Sequence, residues 1–237
     1  MKTLIQLLAV GIFAYVIPVG RALDQIVKAS AVRTPVSIVV VLEQPAPPGT
    51  TPPAPGTLAE SVVQPTSAPA DWPTEVRIDL HPQEGMRIDD GRGGRWVLKS
   101  GRVVAASSPE LPVWVPQLEV LLFSSIETLT RQLNAAGVDT QRAELGRCGD
   151  ADCLVIGGRQ RRPQLWVDKD SFELRRWVPP LGRSFELAPY KAFDKIKFPA
   201  RIEVLDEGTR LAILQVRSLT PAAKLGPADF SARWVKP

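Results

Sequence analysis

Histidine is almost absent from this chain: His81 stands alone among 237 residues, beside two cysteines and two methionines. A metal centre built from several His and Cys ligands is therefore excluded, and a histidine-based catalytic triad has little to work with. Aromatic residues make up 6%. The charge excess is slight, a net +4, and over this length that supplies no concentrated basic stripe for nucleic acid. Neither GxSxG nor HExxH occurs, and the glycines do not spell a phosphate-binding GxGxxG. No cofactor is called for. Composition leans towards a binding or structural module over an enzyme. What is abundant is apolar: 44% hydrophobic residues against 23% charged, enough to bury the core of one domain.

The first residues read as an export signal. Met1-Lys2 is a short positive region, and residues 4–17 are apolar apart from Gln6. Pro18 breaks that run, and Gly20-Arg21-Ala22 places small residues at −3 and −1 of a cleavage site after Ala22. An apolar run of this length falls short of the ~20 residues a bilayer span needs. The expectation is a signal peptide at 1–22 and a periplasmic mature protein, with an uncleaved membrane anchor as the alternative.

Cys148 and Cys153 enclose Gly149-Asp150-Ala151-Asp152, turn formers flanked by strand-like sequence. A four-residue hairpin would bring the two cysteines face to face across the ladder, close enough to bridge. An oxidising compartment favours the bond. Two free thiols are the alternative, and no second pair completes a metal site.

Nine prolines fall between positions 45 and 73, with Glu60 and Asp71 as the charges there. Such a stretch has few amide donors and little to bury, so it reads as an insertion within a domain spanning 23–237. Before it, 23–32 predicts a helix with Leu23, Ile26 and Val27 on one face, and 35–43 predicts a β-branched strand. After it, Val76, Ile78 and Leu80 alternate with Glu75, Arg77 and Asp79. Short strands at 86–88, 95–99 and 102–105 follow, the last two joined through Ser100-Gly101. Pro116 opens a predicted helix carrying Leu118, Leu121 and Leu122 on one face. Ser124 with Glu127 predicts the capping box of a second helix, with Ile126, Leu129, Leu133 and Ala136 at helical spacing and Gly137 as its stop. The remainder predicts a meander of strands at 142–147, 153–158, 164–168, 172–178, 183–190, 200–206 and 209–219. The expected class is α+β with an antiparallel sheet.

Three stretches carry a resemblance to a known family. They are the first helix followed by VSIVVVL, the segment PQLWVDKDSFELRRW at 163–177, and KIKFPARIEVLDEGTRLAILQVRSLTPAAKLGPADFSARW at 195–234. Their order resembles the periplasmic outer-membrane lipoprotein carrier superfamily, the LolA/LolB-like proteins, whose fold the RseB/MucB regulators share. The resemblance implies a curved antiparallel half-barrel sheet with helices covering its concave face. It implies a non-enzymatic carrier that shelters acyl chains of a lipoprotein or lipid in an apolar cavity. The partners implied are an inner-membrane extraction complex and an outer-membrane acceptor. An envelope-stress regulator or scaffold, using the same shell to sense lipid or protein, is the alternative. The proline-rich insertion, the cysteine pair and the helical pair at 116–136 depart from the carriers.

For the cavity lining, alternation nominates Trp96, Leu98, Leu165, Val167, Ile202, Val204 and Ile213 from strands, and the helical face nominates Leu121. Trp166 and Glu203 are expected on the opposite face. The six tryptophans read mainly as core. Asp168, Asp170 and Glu173 read as a hairpin turn and not a calcium loop, and His81 as a surface residue. The cluster Arg159, Arg161 and Arg162 reads as a solvated rim, with an anionic lipid headgroup as the sharper alternative.

Overall fold

The computed structural model describes residues 18–30, 32–45, 72–158 and 162–236. The predicted signal segment up to residue 17, most of the proline-rich stretch, and Arg159 and Arg161 lie outside them. Strong alternation along the chain emerges as strands with one face buried. Strand β1 (Val36–Glu43) buries Val36, Ile38, Val40 and Leu42 and leaves Glu43 exposed. β2 (Glu75–His81) lies antiparallel to it, with Ile38 opposite Ile78 and Val41 opposite Glu75. The proline-rich stretch therefore connects two neighbouring strands.

β3 (Gly85–Asp89), β4 (Arg95–Lys99) and β5 (Arg102–Ala106) continue the meander on one side. Ser100 and Gly101, both at positive φ, make the tight turn between the last two. After the helical interlude come β6 (Ala143–Cys148), β7 (Ala151–Ile156), β8 (Gln164–Asp168), β9 (Leu174–Val178) and β10 (Ser184–Leu187). A small hairpin follows, β11 (Tyr190–Phe193) with β12 (Ile196–Pro199). β13 (Arg201–Asp206) and the long β14 (Thr209–Pro221) complete the set.

Twelve strands form one sheet in the order β5-β4-β3-β2-β1-β14-β13-β10-β9-β8-β7-β6. All its pairings are antiparallel, and β5 and β6 remain as edges, so it does not close into a barrel. The register shifts by one residue in four ladders: β1/β14, β13/β14, β8/β9 and β4/β5. Each bulge adds local twist, and so long an open sheet curls. The result is the curved α+β half-barrel, with the two longer helices against one face and a short C-terminal helix against the other.

Helix α1 (Val19–Ser30) buries Ala22, Leu23, Ile26 and Val27. It runs straight through the expected cleavage junction, and Leu23, Ile26 and Val27 all lie beyond that junction. Helix α2 (Ile126–Ala135) buries Leu129 and Leu133. Its cap is Ser125, which accepts from the Thr128 N–H, and not Ser124 as the capping-box spacing predicted. Gly137 ends it at φ +82°.

The helix expected from Pro116 is only a 3-10 turn, Leu118–Leu121. Leu121, Leu122 and Phe123 are all at 0–1% exposure. Three consecutive helical residues span about 200° of arc and cannot share one buried face, so the backbone turns irregular and buries all three. Residues 112–125 thus form a strap over the sheet.

Candidate functional site

The covered face is a continuous apolar surface, traceable through the register from one end of the sheet to the other. Trp96 lies opposite Ile88, Ile88 opposite Ile78, and Ile78 opposite Ile38. Further on, Leu214 lies opposite Ile202, Ile202 opposite Leu187, and Phe185 opposite both Val204 and Trp177. Leu165 opposite Trp177 and Ile156 opposite Leu165 carry it to β7. These residues belong to one core cluster, together with the buried side chains of α1, α2 and the strap.

Seven of the eight nominated residues meet in that cluster: Trp96, Leu98, Leu121, Leu165, Val167, Ile202 and Val204. Ile213 does not. Its neighbours Ala212 and Leu214 face the cluster, while Ile213 is in register with Glu203 and Glu43 on the outer face. The nomination of Ile213 thus falls on the opposite parity of β14 from the one that faces the cluster. Trp166 and Glu203 lie on the outer face, as alternation predicted.

The nominated seven do not line an open cavity. Their exposures to a water-sized probe are 0–3%, which describes a packed interior and not a solvent-filled groove. Four pieces seal it. The first two are α1 and α2, which lie against each other. The third is the strap, with Trp114, Val115, Leu118, Leu121, Leu122 and Phe123 buried. The fourth is the β11–β12 hairpin, with Phe193 and Phe198 in the cluster and β12 beside α1. Sequence reading missed this hairpin. Its signal was present: Phe193 and Phe198 flank Asp194-Lys195, and Asp194 takes the positive φ of a turn.

Few polar contacts hold the strap. Leu121 C=O accepts from the Val32 N–H at 3.2 Å, and Leu122 C=O from Gln132 Nε2 at 2.6 Å. Trp96 Nε1 donates to Glu110 C=O at 3.2 Å, and the Trp96 and Trp114 rings meet edge-on at 6.1 Å. Arg183 donates to Val113 C=O at 3.2 Å. Glu119 is the one carboxylate of the strap that is buried, and its Oε1 accepts from the Gly101 N–H at 3.1 Å.

Apolar burial is the larger effect. Six strap side chains at about 1.5–3 kcal/mol each give roughly 9–18 kcal/mol, which matches or exceeds the whole stability of an ordinary domain, about 5–15 kcal/mol. The strap therefore cannot swing out into water with its apolar side chains bare. An acyl chain of about fourteen methylenes, at ~0.8 kcal/mol each, offers about 11 kcal/mol. That is enough to replace most of those contacts. The face could be uncovered only if another apolar surface took the place of its cover.

The outer face is polar and partly clasped. Glu203 pairs with Arg201 at 2.9 Å and with Arg210. Trp166 covers Gly146, where a Cβ would come within 2.7 Å of the indole, so this strand position has room only for glycine. Asp168 shapes the β8–β9 turn: Oδ1 accepts from the Asp170 and Ser171 N–H groups and Oδ2 from Arg175. Burial raises its proton affinity, yet these hydrogen bonds outweigh it and hold the carboxyl below the usual range. The Asp168 segment is thus a turn, as predicted. His81 Nδ1 accepts from Gln83 and Glu84 N–H groups at the β2–β3 turn.

Cys148 and Cys153 are bridged, with Cα atoms 6.0 Å apart. The hairpin differs from the expected one. Its loop is two residues, Gly149-Asp150, so Cys148 lies opposite Ala151 and Cys153 opposite Gly146. The bond is diagonal, between residues on one face of the ladder. Arg162, from the predicted basic cluster, donates to Gly182 C=O at 2.8 Å. Among the described residues no helix is long and apolar enough to cross a membrane.

No family model matches the chain, and no curated protein matches it. Solved structures with a similar arrangement include a LolA superfamily protein from Nitrosomonas europaea, 12% identical, with a TM-score of 0.46 over 92% of this chain and 100% of that one. A DUF1329 family protein from Desulfovibrio piger is 11% identical, with a TM-score of 0.41 over 93% and 100%. An outer membrane lipoprotein-sorting protein domain from Vibrio parahaemolyticus is 11% identical, with a TM-score of 0.39 over 92% and 97%.

Proposed function

We propose that this chain is an exported, non-enzymatic binding protein that shelters acyl chains of lipoproteins or lipids between its sheet and its helical cover. The carrying observation is a single apolar sheet face sealed by separate short pieces, where a two-sheet core would have locked it. Trp96, Leu98, Leu121, Leu165, Val167, Ile202 and Val204 form the floor and roof of the binding space in this reading. Binding proceeds by exchange: hydrocarbon enters as the strap or the β11–β12 hairpin withdraws, so apolar surface is never bare. Export uses residues 1–22, with cleavage after Ala22 leaving a periplasmic protein that begins at Leu23. An inner-membrane extraction complex would load it and an outer-membrane acceptor would unload it.

The dry packing of those seven residues favours a second reading, a regulator or scaffold that keeps the shell closed and binds partners outside. Protein purified from its own periplasm separates the two. The carrier is expected to hold lipid by native mass spectrometry and to bind a fluorescent fatty-acyl probe that dodecane displaces. If no lipid co-purifies and no acyl probe binds, the carrier reading is overturned.

A further inference from the structure

Glu119 is out of place. It sits in the 3-10 turn of the strap between buried leucines and is itself only 8% exposed. One oxygen accepts the Gly101 N–H from the β4–β5 turn, at 3.1 Å. The other, Oε2, is buried with no partner among the described residues. An ionised carboxylate with an unpaired buried oxygen is costly, whereas a neutral carboxyl is much less so.

Among the described residues no cation pairs with it. Lys99, beside the turn, is paired with Glu84. On β3, Arg87 is engaged by Asp79 and Asp229, and Asp89 by Arg95. On α1, Lys28 pairs with Asp24, and Arg33 after it reaches the Val27 carbonyl. Arg102 at the turn, and Glu127 and Arg131 on α2, form no hydrogen bond or ion pair with Glu119 among the described residues.

We propose that Glu119 is a proton-dependent latch: with its carboxyl neutral the strap lies closed on the sheet, and ionisation loosens it. Burial pushes the Glu119 carboxyl up from the usual range, with hydrogen bonds from its own backbone and from Gly101 offsetting part of that rise. The closed strap therefore binds the proton more tightly than the open one. Closure is at full strength below the ordinary carboxylate value, weakens as pH rises through the raised one, and then levels off. The latch rests on the acyl-binding reading only for what its opening serves.

Hydrogen-exchange protection of residues 114–123, corrected for intrinsic rates, reads the strap directly in the full chain without ligand. Between about pH 5 and about pH 8, protection should fall about tenfold for each unit by which closed and open states differ in proton affinity. Amides of β7 and β8 should not follow. Glu119→Gln keeps the acceptor for Gly101 and cannot ionise, so its protection should stay high and flat. Flat protection in the wild-type chain overturns the latch, and so does a Glu119→Gln variant with the wild-type pH dependence. A strap that responds as expected in a protein binding no fluorescent acyl probe sustains the latch and sinks the carrier reading. Probe uptake with flat strap protection does the reverse.

Discussion

The two faces of one sheet are built by different physics. The covered face is written in β-branched and aliphatic residues at a period of two, and it excludes water from β4 to β8. The outer face has a second, small core only at one end, where Phe230 and Val235 close over Val97. There Arg87, 8% exposed, is held by Asp79 at 2.8 Å and by Asp229 at 3.3 Å. Its guanidinium also lies 5.6 Å from the Phe230 ring and 4.7 Å from the Trp234 ring. The C-terminal segment that ends in helix α3 (Ala232–Val235) is thus clasped by charge and aromatic contact more than by area. Elsewhere the outer face relies on partly exposed cations laid over buried carboxylates, Glu203 with Arg201 and Arg210, Asp168 with Arg175 and Glu173 with Lys197, and on exposed pairs worth only about 0–1 kcal/mol each. One face is cohesive; the other is pinned at points.

The sharpest way to break this comparison is to put a charge on each face. Val167→Glu, at a position with 0% exposure, leaves an unpaired carboxylate in the sealed core and should cost on the order of 3–5 kcal/mol or unfold the domain. Ile213→Lys, 7% exposed on the outer face but opposite the carboxylates of Glu203 and Glu43, gives its new charge partners at a site near solvent and should cost less. Urea unfolding of both variants checks it, and equal losses would show that the two faces are not so different. Arg87→Ala comes next. It removes the buried partner of Asp79, whose side chain is 3% exposed, and leaves that carboxylate only the largely exposed Arg77 at 3.1 Å, so it should cost up to roughly 3–5 kcal/mol if the clasp is buried as described. A loss no larger than that of a surface ion pair would mean the C-terminal segment lies loosely there. The smallest effect belongs to the disulfide on the outer face of β6 and β7. Replacing Cys148 and Cys153 together by serine removes a bridge over so short a loop that the entropic loss is ~2 kcal/mol. Thermal unfolding of oxidised, reduced and double-serine protein should rank the latter two together.

Much of the covered face was legible before any coordinates. Val76, Ile78 and Leu80, or Leu165 and Val167, alternate so regularly that the apolar face of each strand is plain. Ile213 shows where that logic stops. Both Ile213 and Leu214 are apolar, so alternation leaves the parity open, and the bulges that shift register on either edge of β14 decide it. The strap was misread as a helix because Leu118, Leu121 and Leu122 have helical spacing, while Phe123 beside them was left out of account. The Cys148–Cys153 bond follows from the turn-forming spacing and the compartment, but its diagonal geometry depends on a two-residue turn that Gly149 permits at φ +60°. Glu119 had no sequence signal at all, since an acidic residue in a 3-10 turn is ordinarily solvated.

Local periodicity therefore determined which residues seek the interior, which segments extend and where Gly, Pro and Asp turn the chain, because those preferences act within a few residues. The order of the twelve strands was decided only by tertiary structure. So were the placement of the Phe193–Phe198 hairpin over the sheet, the burial of a lone carboxylate under the strap, and the dry closure of a face that sequence reading took for a cavity. These depend on contacts between residues far apart in the chain. Arg87 with Asp229 is the plainest case: two exposed-looking charges that become partners, with the guanidinium buried, only when the C-terminal segment folds back across the sheet.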